Sequence, residues 1–332
     1  MLNGKGQFAP PTRLAVDQAV ERLHYRPNTI ARSLRTKSTQ TIAFLLPDIP
    51  DPFFVSLISG IQRYAQERDY AILLCVTQGD AEREEQYLNL LHAKQVDGAL
   101  VDGLVLPPSR IARFVEDGFP MVCLDRDVNS PAVPLVQVDN RLGGRRATDH
   151  LLSLGHTRIA HVSGAEPERL RHSQERLAGY QEALSDAGLA VDPRLVAAGD
   201  FTEEGGHQAT RALLASGARF SAVFAANDLS AIGAVRAIFE SGRSVPEDVS
   251  VVGFDDIHIS AFVRPQLTTI QQPAAEIARR AIEILLALIH GRRVRERRHL
   301  LEPKLIVRAS SGGPSIHPHR DPVGLDARAG LR

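Results

Sequence analysis

Residues 41–76, TIAFLLPDIPDPFFVSLISGIQRYAQERDYAILLCV, decide the fold class of this chain. The segment opens with an uninterrupted apolar run of strand length, TIAFLLP, and closes with a second one, YAILLCV. Between them, apolar side chains recur at helical spacing on one face, as at Phe54, Leu57 and Ile61. Apolar runs that do not alternate with polar residues are typical of strands covered on both faces, and helices usually supply that cover. The segment therefore predicts a strand, a helix and a second strand of a parallel α/β sheet.

The same alternation of strands and helices continues along the chain. Strands are predicted at DGALV (97–101), PMVCLD (120–125) and RIAHVSG (158–164), and then at LVAAGDF, SAVFAAN and DVSVVGFDD. Amphipathic helices are predicted between them, with a late helix at 274–291 and a last strand at 303–310. Because the pattern fills two successive stretches of domain size, we predict an α/β protein with two doubly wound parallel-sheet subdomains.

Composition argues against several classes of protein. The chain has 332 residues, of which 43% are hydrophobic and 23% charged, as in ordinary globular proteins. It has no run of about 18 apolar residues and no basic-then-apolar leader, so we expect no membrane segment and a cytoplasmic location. Cys75 and Cys123 each end an apolar run, which predicts buried, reduced thiols.

Signatures of catalysis are missing from the sequence. It contains no Walker A loop and no G-x-G-x-x-G, HExxH, CxxC or G-x-S-x-G motif. His156 and His161 lack the helical spacing of a zinc pair and are predicted to be turn and core histidines. We therefore predict that the protein is not an enzyme and uses no cofactor or metal. The tail at 312–332 is rich in Gly, Pro and charge and is predicted to be disordered.

Polar and aromatic residues follow the predicted strands. In open α/β sheets, ligands bind beyond the carboxyl ends of the strands. These ends carry Asp48, Asp125, Asp200, Phe201, Asn227, Asp228, Asp255 and Asp256. Carboxylates and an amide can hydrogen-bond hydroxyl groups, and an aromatic ring can stack on a flat or apolar face, as a sugar or nucleoside site requires. The alternative is that several of them are N-caps of the helices that follow, and the sequence leaves this open.

The first 40 residues form a basic segment on a mildly acidic chain. They hold seven Lys or Arg against two acidic residues, so their net charge is 7 − 2 = +5, which leaves −5 for the rest of this neutral chain. A short helix is predicted at 11–23, with Leu14 on its inner side. The stretch NTIARSLRTKSTQ follows, with Leu34 on one face and Arg32 and Arg35 on another. It is either a solvated linker or a segment that folds on DNA, its leucine wedged into the minor groove.

Motifs along most of the chain resemble the LacI/GalR family of transcriptional regulators. Within residues 1–311 they are, in order, LNGKG, HYRPNTIARSLRTKSTQTIAFLLPD, DPFF, VDGALV, LDRD, VDN, LGHTRIAHVSG, ERLAGY, GDF, AANDLSAIGAVRAI, VPEDVSVVGFDD and LTTIQQP. The resemblance implies a ligand-responsive, DNA-binding repressor with a two-lobed core like that of periplasmic sugar-binding proteins. It also implies a homodimer whose paired hinge helices join the cores to all-α DNA-binding heads, with helices 53–68 and 82–95 at the dimer interface.

The resemblance also divides the chain into parts. It implies a head remnant at 1–27, a hinge helix and linker at 28–40, an N-terminal lobe at 41–142 plus 268–293, a C-terminal lobe at 143–267 plus 294–311, and the tail at 312–332. No leucine-heptad segment follows the core, which favours a dimer over a tetramer.

Functional positions of the family carry over onto matching residues. The resemblance implies DNA contacts by Asn28, Thr29, Arg32, Ser33, Leu34, Arg35 and Lys37. It implies effector contacts by Phe53, Phe54, Asp125, Arg176, Phe201, Asn227 and Asp255, with His172 and Ser173 as weaker candidates. The family more often has Asn where Asp51 stands. The expected effector is a sugar or sugar derivative first, and a nucleobase or nucleoside second.

One departure from the family bears on DNA binding. Family members begin with helices that build a helix-turn-helix, and LNGKG normally closes the recognition helix, which reads base edges in the major groove. Those helices do not precede LNGKG in this sequence, which predicts a chain that starts inside its DNA-binding domain. Two alternatives to a DNA-binding regulator therefore remain. One is a sensor that never touches DNA, and the other is an effector-binding dimer that has lost specific DNA binding.

Overall fold

The computed structural model describes residues 9–22 and 38–314, except for residues 48, 50, 104, 126 and 165–170. The chain forms two compact units, each built from separate stretches of the sequence. The first contains the described residues of Met1–Asp48, Ile61–Pro134 and Ala281–Arg297, and the second those of Ile49–Gly60, Leu135–Arg280 and Arg298–Arg332.

Helices and strands alternate along the described residues. The helices are α1 (Pro10–Arg22), α2 (Pro52–Gln66), α3 (Ala81–Leu90), α4 (Pro108–Glu116), α5 (Asn140–Ser153), α6 (Arg171–Asp186), α7 (Glu203–Ala215), α8 (Asp228–Glu240) and α9 (Ala274–Ile289). The strands are β1 (Thr41–Leu46), β2 (Ala71–Val76), β3 (Gly98–Asp102), β4 (Met121–Leu124), β5 (Leu135–Val138), β6 (Ile159–Ser163), β7 (Val196–Ala198), β8 (Ala222–Ala225), β9 (Ser250–Asp255), β10 (Thr268–Gln271), β11 (Arg298–Leu301) and β12 (Lys304–Ile306).

The first sheet has the strand order β11-β5-β4-β3-β1-β2. β1 pairs in parallel with β2 and β3, and Thr41 lies opposite Ala71 at the start of the β1–β2 ladder. Residues 42–46 of β1 are fully buried, as the uninterrupted apolar run predicts. α9 packs closely on β3, because a methyl group at Gly98 would come within 3.0 Å of Leu285.

The second sheet has the order β12-β10-β9-β8-β6-β7 and lies in the second unit. Its strands pair in parallel except for β12, which is antiparallel to β10. Val162, Phe224 and Val252 are fully buried in its core. α5 and α6 approach so closely that a Cβ at Gly144 would lie 2.2 Å from the carbonyl oxygen of Arg176. This close approach fixes the backbone of α6 at Arg176.

The predicted α/β class with two doubly wound sheets is confirmed, although three strands were not predicted. β5, β10 and β11 are only four residues long, and each contains polar residues that interrupt an apolar run. The predicted inner position of Leu14 is wrong: this side chain is 61% exposed, because the described residues do not cover that face of α1.

Predictions for the cysteines and two histidines are confirmed. Cys75 and Cys123 are buried and are not joined in a disulfide, and His156 and His161 are buried. None of the helices in the described part of the chain has the length and apolar character that a bilayer crossing requires.

Candidate ligand-binding site

The candidate site lies at the carboxyl edge of the second sheet, where parallel strands present their ends to a ligand. β8 and β9 are neighbours there, with Asn227 just after β8 and Asp255 at the end of β9. The backbone at this edge is strained, since Asp200, Phe201 and Asp255 have positive φ angles of 54°, 57° and 114°. Non-glycine residues rarely adopt such angles, and those that do concentrate at functional sites.

Arg176 is the central cation of this edge. It belongs to α6 and is only 5% exposed. Its Nε donates to Asn140 Oδ1 at 2.9 Å, and its Nη1 donates to the carbonyl of Ala226 at 2.5 Å. The guanidinium also lies 3.7 Å from the ring centre of Phe254, which is a cation–π contact. These contacts hold the guanidinium in one orientation, as a ligand-binding group requires.

Asp255 is the acidic partner of Arg176. Its Oδ1 lies 3.8 Å from Arg176 Nη1 and accepts a hydrogen bond from Gln272 Nε2 at 2.6 Å. Burial raises the pKa of Asp255 well above its ordinary value, and the charge of Arg176 opposes this rise. The two groups lie side by side where neither is well solvated.

The residues just before α2 add a second carboxylate, and they belong to the same unit. The backbone N–H of Phe53 donates to Asp51 Oδ1 at 2.8 Å. Burial raises the pKa of Asp51, while the charges of Arg176 and His172 lower it. Asp51 therefore lies within electrostatic reach of the central cation. Sequence reasoning missed this candidate, although the DPFF motif and its departure from the usual Asn were the available signal.

Aromatic rings accompany these charges. The ring centres of Phe53 and Phe54 lie 5.7 Å apart in an edge-on arrangement. The ring of His172 lies 5.2 Å from that of Phe201. A Cβ at Gly164 would come within 2.0 Å of the Phe201 ring, so only glycine fits there. The edge thus combines apolar ring faces with charged groups.

The side chain of Asn227 is engaged within the protein. Its Oδ1 accepts from the N–H of Ser230 at 2.9 Å as the N-cap of α8, and its Nδ2 donates to the carbonyl of Phe201 at 2.8 Å. The N-cap alternative therefore holds at Asn227, which also fixes the loop that carries Phe201. A direct ligand contact by Asn227 stays a prediction. Ser173 is similarly engaged, since its Oγ accepts from the N–H of Gly164 at 3.2 Å.

Asp228 supports the turn that follows Asp255. Its fully buried carboxylate accepts hydrogen bonds from Ile257 N, Ser260 Oγ and Thr269 Oγ at 2.9, 2.7 and 2.5 Å. Burial raises the pKa of Asp228 to about 7, and these hydrogen bonds oppose the rise. Sequence reasoning placed this residue at a strand end but assigned it no role of its own. The structure gives it a positioning role.

The predicted effector residue Asp125 belongs to the first unit. It follows β4 with a φ of 62° and interacts electrostatically with Asp102 at the end of β3. Burial raises the pKa of Asp102 well above its ordinary value, and the charge of Asp125 raises it further. Asp102 was missed in the sequence, where it directly follows an apolar run.

Comparisons with known proteins decide the family. A family model described as a periplasmic binding protein-like domain matches residues 148–311. The transcriptional repressor PurR of Aliivibrio fischeri is 36% identical over 317 residues, which cover 93% of this chain and 92% of PurR. The ribose operon repressor of Escherichia coli is 36% identical over 302 residues, 89% of each chain. This chain belongs to the LacI family.

Solved structures of LacI-type regulators agree with this assignment. The complex of the transcriptional regulator CelR with cellobiose has a TM-score of 0.75 and 35% identity, and the match covers 93% of both chains. A LacI family transcriptional regulator from Enterococcus faecium with bound ribose has a TM-score of 0.74 and 32% identity, covering 82% of this chain and 98% of its own. The periplasmic-binding-protein-like core is thus confirmed. Because the relatives are transcriptional repressors, the prediction that this LacI-family protein is not an enzyme is also confirmed.

The hinge residues predicted to contact DNA in this LacI-family protein lie outside the described residues, and their role stays a prediction. They are Asn28, Thr29, Arg32, Ser33, Leu34, Arg35 and Lys37. Among the residues that the structure describes, no three His, Cys, Asp or Glu side chains are grouped so as to hold a metal ion.

Proposed function

We propose that this LacI-family protein is a transcriptional repressor controlled by a small polar effector. The observation that carries the proposal is the arrangement around Arg176: a buried guanidinium fixed by Asn140 and paired with Asp255 at the carboxyl edge of the second sheet. The charged pair offers both hydrogen-bond donors and acceptors, and the ring of Phe201 offers an apolar face. We assign effector binding to this edge, with Asp51 as an additional acceptor.

A sugar or sugar derivative is the first candidate for the effector. Vicinal hydroxyl groups can each donate to a carboxylate and accept from a guanidinium, which matches Arg176, Asp255 and Asp51. Two structural relatives hold cellobiose and ribose. A nucleobase or nucleoside is the second candidate, because the paired rings of Phe201 and His172 could stack on a planar base.

A calorimetric titration tests the effector site. The full chain is titrated with D-ribose, cellobiose, D-glucose, hypoxanthine and adenosine. We expect one class of compound to bind, and Arg176→Lys to weaken that binding about 10–150-fold, because a lysine cannot reproduce the oriented guanidinium contacts. Arg236→Lys is the matched control, since Arg236 is an exposed partner of Glu240. If both variants bound the compound equally well, Arg176 would not be an effector contact.

We assign operator binding to the hinge stretch of residues 28–37 in a homodimer acting in the cytoplasm. Its net positive charge suits phosphate contacts, and Leu34 suits a minor-groove wedge shared by two copies. Fluorescence anisotropy with an operator selected from a random duplex library tests this. Leu34→Ala should weaken binding, while Leu14→Ala, at an exposed leucine of α1, should not. A chain that binds the effector but no DNA would instead be the sensor considered above.

The dimer surface is assigned to β2 and the helices beside it. Leu73 and Leu74 of this edge strand are 40% and 39% exposed, and Leu90 at the end of α3 is 45% exposed. Exposed leucines on an edge strand favour association unless a partner covers them. Sedimentation velocity should therefore give a dimer, which Leu73→Glu combined with Leu90→Glu converts to a monomer. Val307→Glu, at another exposed apolar position, should leave the dimer intact.

A further inference from the structure

An arginine-rich loop joins α9 to β11. Its sequence, GRRVRER at 291–297, places Arg292, Arg293 and Arg295 within four positions of one another, and all three are exposed. Within the described part of the chain, no carboxylate forms an ion pair with any of these three residues. Exposed arginines elsewhere are commonly paired, as Arg141 is with Glu182. The loop therefore carries concentrated positive charge that the described residues do not neutralise.

The rest of the loop is fixed to the first unit. Nη1 of Arg297 donates to the carbonyl of Ala132, in the segment that leads into β5. The N–H of Arg292 donates to the carbonyl of Ala287 at the end of α9. With both ends of the loop tied to the unit, its exposed guanidinium groups stay at one place on the surface.

That place is the amino edge of the first sheet. β11 begins at Arg298 directly after the loop, and it runs parallel to β5. Ile289, two positions before the loop, would lie 3.2 Å from a Cβ at Gly98, the first residue of β3. β1 is parallel to β3 and begins at Thr41, so it starts at the same edge. Asp97 fixes the chain just before β1, since its carboxylate accepts from Ser38 Oγ at 2.5 Å and from the N–H of Thr39 at 2.6 Å. The described chain therefore resumes, at residue 38, at the edge that carries the arginine loop.

The arginine loop and the start of β1 are far enough apart to contact different phosphates of one duplex. β11 and β1 are four strand positions apart in the sheet order, which is about 19 Å at the usual strand spacing. Successive phosphates of one DNA strand are about 3.4 Å apart along the helix axis, so a duplex lying along this edge would span the two points with about six base pairs. Asp102 and Asp125 lie at the opposite, carboxyl edge of the same sheet, where they do not oppose an anion at the loop.

Other charges at the amino edge do not cancel the loop. Glu67 is paired with Arg68, and Asp97 is occupied by the backbone and hydroxyl groups of residues 38–40. Asp69 and Asp117 follow α2 and α4, next to β2 and β4 rather than next to β11. Glu296 is the one acidic residue within 291–297, against four arginines.

We infer that Arg292, Arg293 and Arg295 form a sequence-independent contact with the phosphates of duplex DNA beside the segment bound by residues 28–37. The inference rests on the proposed DNA-binding function and extends it to the core of the protein. Guanidinium groups without a carboxylate partner can bind phosphates without first breaking an ion pair. The contact adds affinity and leaves base recognition to the hinge and head.

Salt-dependent DNA binding tests this contact. The full chain, a triple variant (Arg292→Gln, Arg293→Gln, Arg295→Gln) and a control triple variant (Arg194→Gln, Arg211→Gln, Arg236→Gln) are titrated against a fluorescein-labelled 40-base-pair mixed-sequence duplex. The control removes the same charge from exposed arginines of the second unit. Each phosphate contact contributes about 0.9 to the slope of log K against log salt, so three lost contacts should flatten that slope by about 2.7 per subunit. Between 50 and 200 mM salt, the ratio of the DNA affinity of the unsubstituted chain to that of the loop variant should fall by about 40-fold for each subunit that makes the contact.

The outcomes separate this inference from the proposed function. The control variant should keep the full slope, and a triple arginine-to-lysine variant of the loop should keep most of it, because the charges remain. If the loop variant melts at the same temperature as the unsubstituted chain and binds with the same slope, the loop contact is refuted while DNA binding stands. An equal loss in the control variant also refutes it. No DNA binding by the unsubstituted chain overturns both proposals.

Discussion

Arg176 and Asp255 form a charge pair in which both side chains are about 5% exposed. Such a pair gives little net stability, because desolvation offsets most of its attraction. Removing one partner is costly, since the other charge then stays buried without compensation. The pair is therefore best understood as a binding group rather than a source of stability, with Gln272 holding the carboxyl group of Asp255 in place.

We predict that Arg176→Met lowers the free energy of unfolding by about 3–5 kcal/mol, as expected for breaking a buried ion pair. Urea denaturation at pH 7 measures it. Adding Asp255→Asn should recover part of the loss, because the stranded carboxylate is then gone. Arg236→Met, at an exposed pair with Glu240, should cost less than about 1 kcal/mol. If Arg176→Met lowered the free energy of unfolding as little as Arg236→Met does, the Arg176–Asp255 pair would be accessible to water.

His161 is a buried histidine whose protonation should affect stability at low pH. It is fully buried between the rings of Tyr180 and Phe224, and its Nδ1 lies 3.0 Å from the carbonyl of Phe224. Burial lowers the pKa of His161 to about 4, and the charge of Arg176 adds to this effect. The unfolded chain, with an ordinary histidine pKa of about 6.5, then binds more protons than the folded one between those values.

Stability from His161 should thus be complete above pH 6.5 and lost as the pH falls towards 4, by up to about 3 kcal/mol. In His161→Phe this part of the pH dependence should disappear. Urea denaturation at pH 7.0, 5.5 and 4.5 measures the difference, with His290→Phe, at an exposed histidine, as the control. An identical pH profile for His161→Phe and the unsubstituted chain would mean that the buried ring takes up its proton as easily as a solvated one.

At the scale of elements, α3 holds the loop that follows β3. Glu84 is fully buried in α3, and its carboxylate accepts hydrogen bonds from the N–H groups of Val105 and Leu106 at 2.9–3.0 Å. Hydrogen bonds to a charged acceptor are stronger than those between neutral groups. α3 and the loop beyond Asp102 should therefore behave as one element.

Glu84→Ala should release this loop. We predict a loss of about 2–4 kcal/mol in the free energy of unfolding, because the buried N–H of Leu106 and the half-buried N–H of Val105 lose a charged acceptor. Hydrogen exchange at Val105 and Leu106 should accelerate at the same time. Glu85→Ala, which removes the exposed partner of Arg110, should change neither measurement appreciably. Unchanged protection of the two amides in Glu84→Ala would show that the loop is held by other contacts.

At the scale of the whole molecule, strong local patterns predicted most of the architecture. Apolar runs such as residues 41–47 and helices with one apolar face are visible in the sequence because burial on both sides of a sheet leaves no polar alternation. The short strands β5 and β11 were not predicted, since a four-residue strand that contains polar residues has no distinctive sequence pattern. Their pairing depends on partners far away in the sequence.

The candidate site was predicted less completely than the fold. Arg176, Phe201 and Asp255 followed from the family resemblance, and the structure brings them to one edge. Asp51 and Asp102 were missed because their significance depends on burial and on neighbouring charges, which no local pattern reveals. The arginine loop is visible in the sequence, but a net charge of −5 over all residues after 40 conceals this local excess of positive charge.

We expect one molecule to bind both a small effector and DNA, and each ligand to change the affinity for the other. Anisotropy titrations of the full chain on a selected operator, with and without the compound that calorimetry identifies, test it most directly. A coupling of about 1–3 kcal/mol should change the operator affinity about 5–150-fold in one direction. Arg176→Lys, at the same compound concentration, should bind operator as the ligand-free chain does. An operator affinity unchanged by saturating compound would contradict the account.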